Sequence, residues 1–190
     1  MRPRWAVVAL AWLALAAPAA AAPSGQITWA IHFTIAPTGF DPAESPGVIT
    51  QMLPSYLRHD ALVKPMPGNA MTPGLAESWS GPRDGLTYEL GLRRDVRFHN
   101  GDVLTAEDVK FSFERHRGSA AKLLREKVAA VEIVDPQRVR FRLKEPWPDF
   151  LTFYATPATS AGWIVPKRYL EKVGEEGFKK APSVERLVLR

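Results

Sequence analysis

Apolar and polar residues alternate over Leu86–Arg93, with Tyr88, Leu90 and Leu92 on one face and Thr87, Glu89 and Arg93 on the other. A period of two predicts a half-buried strand. The period returns over Arg138–Leu143, where Val139, Phe141 and Leu143 oppose Arg138, Arg140 and Arg142. With Val128–Val134 and the turn Asp135-Pro136-Gln137, this predicts a β-hairpin whose three arginines form a solvated sheet face. Gln26–Ile35 is rich in β-branched and aromatic residues and predicts a further strand, closed by the turn Ala36-Pro37-Thr38-Gly39. A short strand is expected at Val96–Phe98, ending at His99-Asn100-Gly101-Asp102, where Asn-Gly suits a tight turn. Lys64–Asn69, with two prolines and a glycine, reads as a loop.

After Thr105 the apolar spacing lengthens to that of a helix, through Ala106, Val109 and Phe113. Thr105 is placed to cap it with Asp108 as the other half of a capping box. Glu107 and Asp108 occupy the first turn, Arg115 and Arg117 the far end, and Gly118 is placed to stop it. Other helices are expected over Val48–Leu62 (kinked or ended by Pro54), over Ala120–Lys127, from an Asp149 cap through Phe153, and over Lys167–Lys172. Strands interspersed with helices predict a mixed α/β fold.

The N-terminus follows neither period. Met1–Arg4 is basic, Trp5–Ala17 is an apolar run of 13 residues, and Pro18 precedes four alanines. This is the layout of a secretory signal peptide over residues 1–22, cut after Ala21 or Ala22. The alternative, an uncleaved membrane anchor, calls for about 20 apolar residues. A small-residue cut site with no nearby cysteine to carry a lipid points to a soluble exported protein.

The 190 residues are 46% apolar and 24% charged, which suits one globular domain. The absence of cysteine excludes a disulfide scaffold, a thiolate zinc site and a thiol nucleophile. Removing Arg2 and Arg4 from the 25 basic residues leaves 23 against 20 acidic, a net of +3, too mild to argue for nucleic acid. His32, His59, His99 and His116 lack metal-ligand spacing and read as turn, edge or surface residues. No metal and no cofactor is expected. Neither a G-x-S-x-G elbow nor a phosphate-binding glycine loop occurs. Asp41, Glu44, Glu77 and Asp102 are the carboxylates that a secreted hydrolase, the alternative function, would bring together.

Four segments occur in order: Pro73-Gly-Leu-Ala-Glu-Ser-Trp79, Asp84-Gly-Leu-Thr-Tyr-Glu-Leu-Gly-Leu-Arg93, Val96-Arg-Phe-His-Asn-Gly-Asp102 and Leu104-Thr-Ala-Glu-Asp-Val-Lys-Phe-Ser-Phe113. This block resembles the signature of the family 5 extracellular solute-binding proteins, the peptide, nickel and opine class serving ABC importers. Leu90 stands where the family usually has an aromatic residue, and Asp102-Val103 replaces a residue-Pro pair. The likeness continues through Phe40-Asp41-Pro42, His59–Val63 and Trp163–Pro166, covering roughly residues 26–180. Its signature positions here are Leu75, Glu77, Trp79, Tyr88, Arg93, Phe98, His99, Gly101, Thr105, Asp108 and Val109, read as architecture rather than ligand contacts.

The resemblance implies the first lobe of a two-lobed periplasmic-binding-protein fold of type II. Such a protein closes over a peptide or similar small solute and hands it to ABC permease subunits, with no covalent chemistry and as a monomer when complete. It nominates Phe33, Thr34, Pro37, Phe40 and Asp41, with Trp163, as ligand-binding residues; the alternative makes Phe33 and Phe40 core and Asp41 a turn residue. Complete members are longer, and commonly carry G-x-G-P-Y after the position of Pro182, where this chain reads Ser183–Arg190. The expected organisation is therefore lobe one over residues 23–182 and an off-pattern tail over 183–190. That layout implies a truncated or frame-shifted product, and a non-functional fragment stands as a further alternative.

Overall fold

Alternation in the chain becomes a sheet with one dry and one wet face. The computed structural model describes residues 41–44, 56, 58–81, 84–155 and 159–179, all within one unit that begins at Phe33. The expected strand over 26–35, the signal peptide and the tail lie outside the described residues. Strands β3 (Ala76–Ser80), β4 (Thr87–Leu92), β5 (Val128–Asp135) and β6 (Arg138–Leu143) form a four-stranded antiparallel sheet in the order β3-β4-β6-β5. Tyr88 lies opposite Phe141, Leu90 opposite Val139, and Val131 faces Phe141 from the other side. These partners put the apolar residues of three strands on one face.

Helices α1 (Ala106–Arg115), α2 (Ala121–Lys127), α3 (Phe150–Ala155) and α4 (Lys167–Lys179) complete the mixed α/β architecture. Val109 of α1 and Phe150 and Tyr154 of α3 join the sheet's apolar face in one core. Phe141 is its centre, with ring centroids 5.3 Å from Phe150, 5.2 Å from Tyr154 and 5.6 Å from Phe113. Offset and edge contacts of this kind add to the gain from burial. On the opposite face Arg140 pairs with Glu89 at 2.8 Å, Arg142 with Glu132 at 3.2 Å and Arg138 with Asp135 at 2.6 Å. The solvated arginine face is present, neutralised by cross-strand carboxylates.

Several local expectations change. Lys64–Asn69 is not a loop: β1 (Val63–Met66) and β2 (Asn69–Pro73) pair as a hairpin. The ladder is irregular between Lys64 and Met66, where Pro65 has no amide to offer. The expected helix over Val48–Leu62 does not reach its end; residues 59–62 are not helical, and Ala61 bridges to Trp163. Strand β3, inside the first signature segment, carries too little alternation to be read beforehand. Val96–Phe98 contributes only a single bridge, Arg97 to Val103. Helix α1 ends at Arg115, because His116 turns extended and leaves it before Gly118 is reached. Helix α3 runs two residues past Phe153. Helix α4 continues past Lys172 to Lys179 across a kink at Gly174.

The two faces predict opposite responses to truncation. Phe141→Ala empties the centre of the aromatic cluster and is expected to cost about 3–5 kcal/mol in denaturant unfolding. Arg142→Ala removes one exposed member of a pair and is expected to leave the unfolding midpoint nearly unchanged.

Candidate functional site

Helix α1 buries two stripes. Ala106 and Val109 face the core, whereas Asp108, Ser112 and Arg115 form a second buried stripe at helical spacing. Buried polar groups need partners, and each member of this stripe has one on another segment. One Asp108 carboxylate oxygen accepts the backbone N–H and the hydroxyl of Thr105, both at 2.9 Å, closing the helix N-terminus. The other accepts the N–H of Lys167, the first residue of α4, at 2.9 Å. Ser112 Oγ accepts the N–H of Val165 at 3.0 Å. The strand-like segment before α4 is thus tied to α1 at two points.

Arg115 ends the stripe. Its Nη1 and Nη2 donate to Asp41 Oδ1 and Oδ2, both at 2.7 Å, a two-pronged pair. Asp41 is 1% exposed. Its Oδ1 also accepts the N–H of Ala43 at 3.0 Å. Burial pushes the Asp41 carboxyl up. The Arg115 hydrogen bonds and charge, the Ala43 amide and the nearby His59 outweigh it and hold the group below the usual carboxylate range. The turn is gripped from other sides too. Ser160, in a left-handed conformation (φ 50°), donates its hydroxyl to Pro42 O at 2.8 Å. Glu44 pairs with Lys179 of α4 at 2.7 Å and with Arg117 at 3.3 Å.

His116 and Trp163 lie beside this junction, 3% and 4% exposed. They line a narrow gap with Pro42, Ala43, Ser112 and Ser160, too tight to admit a water molecule. The His116 Nε2 and the Trp163 indole nitrogen have no hydrogen-bond partner among the described residues. Trp163 is edge-on to Tyr56 at 5.6 Å. Gly118 is required by His116: a β-carbon there would stand 2.7 Å from the imidazole Cε1. Burial, then Arg125 and Arg115, push the His116 pKa down to about 4, with Asp41 pulling the other way.

The sequence nominated six ligand residues. Phe33, Thr34, Pro37 and Phe40, and with them His32, lie outside the described residues. Asp41 has both oxygens on Arg115, and Trp163 lines the gap beside Pro42 and Ala43. The expectation that every histidine sits at a turn, edge or surface is corrected at His116, which the burial of the α1 C-terminus carries inside. The four carboxylates do not converge: Asp41 goes to Arg115, Glu44 to Lys179 and Arg117, and Asp102 to the side chain of Asn100, while Glu77 is exposed on β3. Among the described residues no three His, Asp or Glu side chains gather into a metal position.

Of the signature residues, Leu75, Tyr88 and Val109 are buried, and Trp79 and Phe98 pack against the core from its rim. The Tyr88 hydroxyl donates to Trp147 O at 2.9 Å and Arg93 Nε to Gly74 O at 2.7 Å. His99 and Gly101 lie on an exposed turn. Ser112 was missed beforehand, and so was the joint role of Asp108 and Arg115 in one buried stripe. Their i, i+4, i+7 spacing was visible, but it is also the spacing of a solvated helix face.

The model of the bacterial extracellular solute-binding proteins, family 5 Middle, matches residues 70–184. Di/tripeptide-binding protein 2 of Pseudomonas aeruginosa is 36% identical over 213 residues, 97% of this chain and 40% of its own. In structure, MoaA of A. tumefaciens in complex with mannopinic acid superposes with a TM-score of 0.65 and 30% identity, covering 76% of this chain and 30% of that one. Haemophilus influenzae OppA, in complex with a peptide, gives 0.64 at 25% identity, covering 74% and 31%. The chain thus spans 40% of the length of the first relative and under a third of the two structures.

Two outcomes are expected from this geometry. Arg115→Met strands a buried carboxylate and should cost about 3–5 kcal/mol, read by urea unfolding at neutral pH. His116 is neutral when folded, and its pKa of about 4 lies below the ordinary 6.5. Its contribution is therefore complete above pH 6.5 and is lost as pH falls toward 4, by roughly 3 kcal/mol. His116→Gln should flatten the pH dependence of the melting temperature across that window.

Proposed function

We propose that this chain, which belongs to the family 5 bacterial extracellular solute-binding proteins, captures peptides or similar small solutes for an ABC-type importer. The observation that carries this reading is the likeness to a di/tripeptide-binding protein across 97% of the chain. The family and the relatives compared are binding proteins, and the junction around Asp41 supports the same direction. Its buried ionisable groups are spent on tethering: Asp41 is held by Arg115, and His116 is neutral and enclosed. Capture of this kind uses burial of the solute and satisfaction of its polar groups, with no bond made or broken.

In this reading Phe33, Thr34, Pro37 and Phe40 contact the solute. Asp41 acts one step behind them, anchoring the end of their segment to α1 through Arg115, and Trp163 backs the same anchor. The partners are the solute and the transmembrane subunits of the permease, and the complete protein works as a monomer. Residues 1–22 act as an export signal cut near Ala21 or Ala22, which delivers the remainder to the periplasm. Among the described residues no helix is long and apolar enough to cross a membrane.

Thermal unfolding with and without a pool of di- and tripeptides tests the proposal. A ligand that binds only the folded state must raise the transition, by about 2.7 kcal/mol at a hundredfold excess over Kd. The expected result is a midpoint that climbs with peptide concentration. A cooperative transition unmoved by every peptide pool, or peptide hydrolysis by the purified chain, would overturn it.

A further inference from the structure

The turn at Phe98–Asp102 carries a chemistry that neither the fold nor solute capture uses. Asn100 and Gly101 are both exposed. Gly101 has a φ of 92°, and nothing lies within 4 Å of where a β-carbon would stand, so the α-carbon side of this peptide is open to solvent. The Asn100 side chain folds back over that peptide unit: Oδ1 accepts the N–H of Asp102 at 3.2 Å, and Nδ2 donates to Asp102 Oδ2 at 2.8 Å. Only Cβ, Cα and the main-chain carbonyl carbon separate Cγ from the Gly101 nitrogen, so a bond between the two closes a five-membered ring. The hydrogen bond on Oδ1 also draws electrons from the side-chain carbonyl and makes Cγ a better electrophile.

We propose that Asn100-Gly101 is a site of spontaneous deamidation, with water as the only co-reactant. Hydroxide removes the Gly101 amide proton, and the nitrogen attacks Asn100 Cγ to close a five-membered succinimide. The Cγ–Nδ2 bond breaks, and Nδ2 leaves as ammonia with a proton from water. Water then opens the ring. Breaking the bond from the Gly101 nitrogen to Cγ leaves an aspartate. Breaking the bond to the original main-chain carbonyl leaves an isoaspartate, whose chain runs through Cβ and Cγ. Overall, amide and water become carboxylate and ammonium, with no change of oxidation state. The Gly101 N–H first has to leave Phe98 O, its partner at 2.8 Å. On an exposed turn such an opening is frequent.

Either product works against the turn that formed it. The 2.8 Å contact from Nδ2 to the Asp102 carboxylate becomes a meeting of two carboxylates. An isoaspartate also adds a methylene to the main chain between Phe98 N–H→Asp102 O and Arg97 Nη1→Gly101 O, both 2.9 Å. This ribbon delivers the chain to the Thr105 cap, so modification loosens the entry to α1.

The other asparagine of the chain is an internal control. Asn69 Oδ1 likewise accepts an amide, that of Met71 at 3.0 Å, but Asn69 is followed by Ala70. The whole chain would be incubated at neutral and mildly alkaline pH, digested and read by mass spectrometry, with isoaspartate counted by enzymatic methyl transfer. Asn100 should convert several-fold faster than Asn69, at a rate proportional to hydroxide, and Asn100→Gln should abolish the isoaspartate signal in the peptide that carries residue 100. Asn100→Asp should lower the unfolding midpoint, and an unchanged midpoint would overturn the coupling to the ribbon. Equal conversion at Asn100 and Asn69 would overturn the site itself. So would an intact Asn100 in the protein when a free peptide of residues 96–104 converts under the same conditions.

Discussion

A carboxylate taken out of water has to be neutralised where it sits, so the burial of Asp41 dictates the position of Arg115 and with it the end of α1. The same helix holds the segment before α4 through Ser112 and the start of α4 through Asp108. Three polar side chains on one stripe thereby set where two distant stretches of chain lie. An apolar stripe would bury as much surface but would accept many registers. Hydrogen bonds of fixed direction at 2.7–3.0 Å accept one.

The sheet divides its work between two faces. Tyr88, Leu90, Val139 and Phe141 receive α1 and α3 on the dry side, where Phe141 touches the rings of both helices. On the wet side, arginines and carboxylates of neighbouring strands alternate in sign, so a highly charged face repels neither itself nor water. Tyr88 joins the sheet to the connector before α3 through its hydroxyl on Trp147 O. The signature residues take up this framework, in the core, at its rim and in the turns.

The junction around Asp41 also concentrates sensitivity to acid. Protonating Asp41 removes the partner of Arg115, and protonating His116 places a cation between Arg115 and Arg125 in an enclosed gap. Both changes act on the turn at residues 41–44, the end of the segment that the proposed function places against the solute. Glu44, with Lys179 and Arg117, holds that turn to α4 as well, so the first described residues and the last described helix meet at one electrostatic cluster.

The strands β4, β5 and β6 and helix α1 were legible in the sequence because period, caps and turn residues pointed to the same elements. The β1–β2 hairpin was not, since Pro65 and Pro67 carry the marks of a loop, and only pairing on either side of the Pro67-Gly68 turn makes the flanking residues strands. Helix α1 stops short of its expected end because His116 leaves it in an extended conformation and lines the gap beside Trp163. Family membership is a property of linear order, and the order of segments from Pro73 to Phe113 contained it. The distant partners of Asp108, Ser112 and Arg115 lie between 53 and 74 residues away along the chain. Local sequence reports which side chains are polar and where they fall on a helix. Only the folded chain decides which of them are buried, and a buried charge then selects its partner.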